Sequence, residues 1–134
     1  MFINVSNHPI TKWGRKQQED ALHINCGAMT DNALIDLGFP TINPHWDIGE
    51  LLECVLKWKE KILLTKATNE SGFLKNDKVT IHLMGETGFI SLLGLELWKN
   101  GFNVVHSTTE RKVVEKDNGE KISVFEFIQF RKSF

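Results

Sequence analysis

The sequence predicts an α/β domain with a mainly parallel, Rossmann-like sheet, helices on its faces and a β-hairpin at its C-terminal end. β-branched runs alternate along the chain with helical segments, which is the order of a parallel sheet with crossover helices. Val79-Thr-Ile-His-Leu-Met84 is almost continuously apolar, as in a central strand buried on both faces. Asp117-Asn-Gly119 separates two apolar runs, and Asn-Gly is a strong hairpin signal.

The first strand is predicted at Phe2–Val5, where the turn formers Ser6-Asn-His-Pro9 end it. A helix follows, with Thr11 in position to cap it. Its end is predicted at Asn25 and Gly27. One face of this helix presents residues spaced for burial, namely Trp13, Gln17, Ala21 and Ile24.

The second strand is predicted at Ala33–Leu37, followed by a loop rich in Gly and Pro that ends at Pro44. The next helix is predicted from Asp47 to Lys66, because Asp47 and Glu50 have the spacing of a capping box. Its apolar residues recur at helical spacing, while charged residues such as Lys57 fall on the other face.

The third strand, Val79–Met84, leads through a tight glycine turn into an apolar helix that contains Phe89 to Trp98 and ends at Asn100-Gly101. Another buried strand is predicted at Asn103–Ser107, which completes a right-handed βαβ unit. The hairpin strands are predicted at Lys112–Val114 and Ile122–Phe130.

Length and composition limit the possible functions. A chain of 134 residues fits one domain, taken as residues 1–134. The formal charge of −1 provides no overall basic field for binding DNA or a membrane surface. No apolar run approaches the roughly twenty residues of a membrane span, and the start lacks signal-peptide features, so cytoplasmic residence is expected. The sequence contains neither a dinucleotide-binding G-x-G-x-x-G after its first strand nor a P-loop, and neither a metal nor a cofactor is expected.

Polar segments follow three of the predicted parallel strands. They are Ser6–Pro9, Gly85–Gly88 and Ser107–Arg111, each interpreted as a loop. Ligands of open parallel sheets bind outside the carboxyl ends of the strands, so these loops are expected to form one site. That expectation requires the first and fourth strands to be close neighbours.

The residue types in these loops suit a nucleotide or phosphate ligand. Glycines let backbone N–H groups approach an anion at a helix N-terminus, and a guanidinium with hydroxyls binds phosphate. Glu86 is open to three interpretations, as a helix cap, a sugar or base contact, or a group that repels phosphate. His8 is a candidate general acid or base, whereas His82 and His106 are interpreted mainly as core residues.

Five segments together resemble small CRISPR-associated proteins of type III systems, a group that is similar to CARF domains and includes stand-alone ring nucleases. The resemblance covers nearly the whole chain. They are Phe2–Pro9 with Trp13, Phe39-Pro40 with Ile42-Asn-Pro44, His82–Glu86, Ser107-Thr-Thr-Glu-Arg111 and Val124-Phe-Glu-Phe-Ile-Gln-Phe-Arg131.

The resemblance implies a CARF-like homodimer that binds a cyclic oligoadenylate across its two-fold axis, and cyclic tetra-adenylate is the expected ring. It also implies metal-independent attack by a ribose 2′-hydroxyl on the adjacent phosphate, which ends an antiviral signal. The expected catalytic residues are His8, Arg111 and Thr109. The expected ligand contacts are Ser6, Asn7, Gly85, Glu86, Thr87, Ser107 and Thr108. Two alternatives stay open, a sensor or sponge that binds the ring without cutting it and an unrelated enzyme acting on another nucleotide.

Overall fold

The protein contains a five-stranded sheet with helices on both faces. The structure, a computed structural model, describes residues 1–24, 34–69 and 79–134. The strands are β1 (Phe2–Val5), β2 (Leu34–Asp36), β3 (Thr80–Leu83), β4 (Asn103–Glu115) and β5 (Lys121–Lys132). The helices are α1 (Arg15–Ile24), α2 (Ile48–Asn69) and α3 (Thr87–Lys99). The sheet order is β2-β1-β3-β4-β5, with β5 antiparallel to β4 and the other pairs parallel. The predicted α/β class, mainly parallel sheet and C-terminal hairpin are confirmed.

Each face of the sheet buries its own apolar cluster, because successive side chains of a strand point to opposite faces. Ile3 and Val5 of β1 pack with residues of α2 and α3 in the larger cluster. Phe2 packs in the smaller cluster with Trp13 and with Ala21 of α1. The central strands β1 and β3 are fully buried, which confirms the prediction made for β3 from its nearly continuous apolar run.

Two helix starts follow the predicted chemistry. The Asp47 carboxylate accepts a hydrogen bond of 2.9 Å from the Glu50 backbone N–H at the start of α2. The Glu86 carboxylate caps α3 by accepting from the backbone N–H groups of Gly88 and Phe89 at 3.1 and 2.7 Å. The end of α2 lies at Asn69, about one turn beyond the predicted Lys66.

The predicted start of the first helix is wrong. Thr11 lies in a 3₁₀ turn, Ile10–Lys12, and Trp13 is extended, with α1 beginning at Arg15. The physical reason is tertiary packing, because the Trp13 indole donates a 2.9 Å hydrogen bond to the His8 carbonyl and packs edge-on against Phe2. These contacts keep Trp13 out of the helix. The predicted helix end at Asn25 and Gly27, and Ala33 of the second strand, lie outside the described residues.

The prediction that Ser107–Arg111 is a loop is also wrong. These residues lie inside β4, which pairs with β5 from Val105 to Glu115. Backbone pairing with the long β5 strand extends β4 through this polar segment. The strands meet at the predicted Asn-Gly turn, where Gly119 has a φ of 84°.

A β-bulge interrupts the pairing of β4 and β5. Thr108 is opposite Gln129 and Thr109 is opposite Phe127, so Ile128 is the extra residue. Because a bulge shifts the side-chain alternation of its strand by one residue, Phe127 lies on the same face as Phe130. Their ring centroids are 4.9 Å apart.

None of the described helices has the length and apolar character needed to cross a membrane.

Candidate functional site

A cavity of about 710 Å³ lies at the carboxyl ends of β1 and β3, on the face of the sheet that carries α1. The strand order is the doubly wound order 2-1-3-4-5, in which the connections leave β1 and β3 in opposite directions. Ligands of such sheets bind at this switch point, and sites for small molecules commonly enclose roughly 300–1,000 Å³. Both the place and the size of the cavity therefore suit a bound small molecule.

Both aromatic rings and polar groups line the cavity. Three ring side chains provide apolar walls, Trp13, Phe125 and Phe127. Hydroxyl, amide and imidazole groups come from the end of β1, from α1, from β3 and from β4, namely Ser6, Asn7, His8, Gln17, His82, Ser107 and Thr109. Glu126 is the only charged residue among the described residues that line the cavity, if His8 and His82 are counted as neutral.

Hydrogen bonds from buried side chains hold the loop after β1 in place. The His8 carbonyl accepts hydrogen bonds from the Asn4 side-chain amide at 3.0 Å and from the Trp13 indole at 2.9 Å. The Asp36 carboxylate of β2 also accepts from the Asn4 amide, at 2.8 Å. These bonds fix the backbone of His8, whose side chain is exposed at the cavity.

The hydrogen bonds around Asn4 determine which nitrogen of His82 carries the proton. The Asn4 Nδ2 atom faces two groups that only accept hydrogen bonds, so its orientation is fixed and Oδ1 faces His82. His82 Nδ1 lies 2.8 Å from that oxygen and must therefore donate to it. In the neutral ring, Nε2 then carries a lone pair and accepts the hydroxyl proton of Ser107, at 3.2 Å.

Burial keeps the His82 ring neutral. The ring is 2% exposed and lies between Phe2, Trp13 and Phe130. Burial, followed by the charges of His106 and His8, lowers the pKa of His82 from 6.5 to about 4. The imidazole is therefore a neutral hydrogen-bond acceptor at neutral pH.

Most of the predicted site residues fall at or next to this cavity. Those among its lining residues are Ser6, Asn7, His8, Gly85, Ser107 and Thr109. Glu86 and Thr87 directly follow Gly85 in the chain, at the start of α3. Both oxygens of the Glu86 carboxylate accept hydrogen bonds from backbone N–H groups there. The capping interpretation of Glu86 is confirmed.

The structure separates Arg111 and Thr108 from the cavity lining. The Arg111 guanidinium is on the hairpin and donates two hydrogen bonds to the Ser123 hydroxyl, at 3.0 and 2.8 Å. The Thr108 hydroxyl donates to the Gln129 carbonyl at 3.3 Å. β3 lies between β1 and β4, so the first and fourth strands are not direct neighbours.

Sequence reasoning missed the cavity roles of Asn4, His82 and the aromatic walls. The signal for Asn4 and His82 was a polar residue within each of two apolar strands. The two residues lie opposite each other on β1 and β3. A polar residue in a buried strand needs a partner, and adjacent parallel strands supply one. In the described part of the chain, no group of three His, Cys, Asp or Glu residues is arranged to hold a metal ion.

A comparison with family models gives a match over residues 1–131, to the uncharacterized protein MJ1673 family. The chain belongs to the MJ1673 family. No curated protein and no solved structure matches it. The matched residues include every residue that lines the cavity of this MJ1673-family chain.

Gly85 is required at the cavity edge of this MJ1673-family chain. Its φ of +155° is a conformation that side chains disfavour, and a Cβ atom would lie 2.3 Å from the Phe39 ring. We expect Gly85→Ala to lower the free energy of unfolding by about 2–3 kcal/mol in urea titrations. Gly14→Ala, at the same cavity with no atom within 4 Å of its Cβ, is the matched control and should change it by less than about 1 kcal/mol. Equal effects of the two substitutions would contradict this account.

Proposed function

We propose that this protein is a ring nuclease that binds a cyclic oligoadenylate in the switch-point cavity. Cyclic tetra-adenylate is the ring that we expect it to bind. The observation that carries the proposal is that aromatic rings and polar groups line the same cavity. Aromatic faces stack on adenine bases, with about 1–3 kcal/mol for each base. The polar groups supply the hydrogen bonds that ribose and phosphate need.

The proposed chemistry is attack of a ribose 2′-hydroxyl on the adjacent phosphorus, which breaks the bond to the 5′-oxygen. One product end is a 2′,3′-cyclic phosphate and the other is a 5′-hydroxyl. His8, exposed at the cavity, gives a proton to the leaving 5′-oxygen. The Thr109 hydroxyl and the Asn7 amide donate hydrogen bonds to the phosphate, where negative charge develops. Arg111 is left out of this scheme, because it is not among the described residues that line the cavity.

A cation is available beside the cavity. The Lys16 ammonium lies 5.3 Å from the centroid of the Phe127 ring and donates to the Ile128 carbonyl at 2.8 Å. It also pairs with Asp20, at 2.7 Å. Lys16 is long and exposed, so it can exchange these contacts for a phosphate at the mouth of the cavity.

The proposal includes a homodimer. A ring with repeated nucleotides presents the same groups to two copies of one site, and a two-fold axis brings two such sites together. Each subunit would bind half of the ring, and the reaction would take place in the cytoplasm. The ligand is a small ring, so the proposal needs no DNA-binding surface, in agreement with the formal charge of −1.

The second candidate function is a module that binds the ring and leaves it intact. It is favoured by the absence of Lys and Arg from the described residues that line the cavity, because cations stabilise the transition state of phosphoryl transfer. Such a sensor or sponge would use the same stacking walls. Product analysis separates the two functions.

The proposal is tested by incubating the protein with cyclic tri-, tetra- and hexa-adenylate in EDTA and separating the products by chromatography. We expect linear adenylates with 2′,3′-cyclic phosphate ends. Tight binding without products would support the binding module. Preference for a linear mononucleotide over every ring would contradict both functions.

The stacking wall has a matched pair of variants. Phe125 is 70% exposed and lines the cavity, whereas Phe134 is 54% exposed and lies against Trp98 on the other face. We expect Phe125→Ala to weaken ring binding at least about 5-fold in titration calorimetry, since one stacked base is lost. Phe134→Ala should leave the Kd unchanged. Unchanged binding by Phe125→Ala would remove this ring from the proposed site.

A further inference from the structure

Three polar side chains form a continuous chain of hydrogen bonds from the buried sheet to the cavity. Asn4 Oδ1 accepts from His82 Nδ1 at 2.8 Å, and His82 Nε2 accepts from the Ser107 hydroxyl at 3.2 Å. Asn4 and His82 are 0% and 2% exposed, whereas Ser107 is half-buried and lines the cavity. This is the arrangement of a hydroxyl, a base and a group that orients the base, which in enzymes activates a nucleophile.

The direction of these hydrogen bonds decides what Ser107 can offer a ligand. A serine hydroxyl has one proton, and that proton is given to His82. The oxygen therefore presents lone pairs to the cavity. Ser107 cannot donate to a phosphate oxygen while this bond is intact, which differs from the ligand contact that the sequence alone suggests. It can accept a hydrogen bond from a hydroxyl group of the ligand.

We propose that Ser107 is the catalytic residue that accepts the proton of the attacking ribose 2′-hydroxyl and passes its own proton to His82, which Asn4 positions. The inference rests on the proposed ring nuclease function. The 2′-oxygen forms its bond to phosphorus as its proton moves to Ser107 Oγ, and the former Ser107 proton moves to His82 Nε2. The bond from phosphorus to the 5′-oxygen breaks, and that oxygen takes its proton from His8. Proton return from His82 through Ser107 to solvent, together with uptake of a proton from solvent by His8, restores the site.

His8 and His106 are the titratable groups whose charges act on His82, one from the loop after β1 and one from β4. Asp36 of β2 contacts the chain of hydrogen bonds only through Asn4. His82 is neutral at neutral pH because of its burial, so its Nε2 lone pair is available to the hydroxyl proton.

The chain contains a matched control on the opposite face of the sheet. Ser133 Oγ lies 3.0 Å from His106 Nδ1, so it forms a serine–histidine pair of the same kind. His106 and Ser133 line a different cavity, of about 320 Å³. Ser133→Ala removes an equivalent hydroxyl without touching the proposed site.

The first test is single-turnover cleavage of cyclic tetra-adenylate, together with the Kd for a ring in which every 2′-hydroxyl is methylated. Ser107→Ala is expected to slow cleavage at least about 100-fold, the usual effect of losing a general base. Its Kd for the methylated ring should stay within about 3-fold of the wild-type value, and Ser133→Ala should change neither quantity. Wild-type cleavage by Ser107→Ala would overturn the inference and leave the proposed function standing.

The second test needs no nucleotide. A fluorophosphonate probe should form one adduct on the wild-type protein, with a new bond from Ser107 Oγ to phosphorus, loss of fluoride, and transfer of the hydroxyl proton to His82 and then to solvent. Intact-mass and peptide mass spectrometry should place the adduct on Ser107, and it should be absent from Ser107→Ala and present in Ser133→Ala. If the wild-type protein neither binds nor cleaves any ring, the proposed function fails, and the role of Ser107 toward a 2′-hydroxyl fails with it. Absence of the adduct from a protein that cleaves the ring would overturn the role of Ser107 alone.

Discussion

Replacing Asn4 by alanine is expected to lower the free energy of unfolding by on the order of 4 kcal/mol. Asn4 is fully buried and its side chain contacts Asp36, His8, Ser6 and His82. Alanine removes every one of these hydrogen bonds. The His82 Nδ1–H group would then be buried without an acceptor, and each buried group left unsatisfied costs about 1–3 kcal/mol. Urea titration followed by circular dichroism measures the change.

A second asparagine provides the control for this prediction. Asn103 is half-buried and donates a single 3.0 Å hydrogen bond to the Thr80 hydroxyl on the same face of the sheet. Asn103→Ala should cost only about 1 kcal/mol. If the two alanine variants unfold at the same urea concentration, the hydrogen-bond network around Asn4 does not have the energetic role assigned to it. Ser107→Ala should be milder than Asn4→Ala, because Ser107 makes one hydrogen bond to His82 whereas Asn4 contacts several groups.

The stability of the protein is expected to fall by about 3 kcal/mol between about pH 6.5 and pH 4 through His82 alone. Burial lowers the pKa of His82 from 6.5 to about 4, so in this range the unfolded chain binds a proton that the folded protein excludes. Stability therefore rises with pH through the window and is fully present above the unfolded pKa of 6.5. Below about pH 4 this contribution changes no further.

The pH dependence of His82 can be separated from that of the other groups by difference. The free energy of unfolding is measured from about pH 7 to about pH 4 for the wild-type protein and for His82→Gln. The free energy of unfolding of His82→Gln should depend less on pH than that of the wild-type protein. The difference in free energy of unfolding between the two proteins should therefore be about 3 kcal/mol smaller at about pH 4 than at about pH 7. Parallel curves for wild type and His82→Gln would show that His82 titrates normally in the folded state.

Local sequence patterns predict the order and type of the main elements. A β-branched run predicted β1, a nearly continuous apolar run predicted β3 as a buried strand, and helical spacing with the Asp47 cap predicted α2. The Asn-Gly pair fixed the turn of the C-terminal hairpin. These signals are local, because periodicity, caps and turns depend on residues a few positions apart. The sequence also located polar residues at the ends of β1 and β3, where the cavity lies.

The assembly of these elements into a site depends on tertiary contacts. Pairing with β5 turned Ser107–Arg111 into a strand, and the bulge at Ile128 brought Phe125 and Phe127 onto the face of the cavity. The alternation of the sequence places Phe127 and Phe130 on opposite faces, and one unpaired residue reverses that result. The hydrogen bonds among Asn4, His82 and Ser107 join three strands. The first bond links residues 78 positions apart in the chain, and the second links residues 25 positions apart. Contacts over such distances depend on strand order and register, which no local pattern encodes.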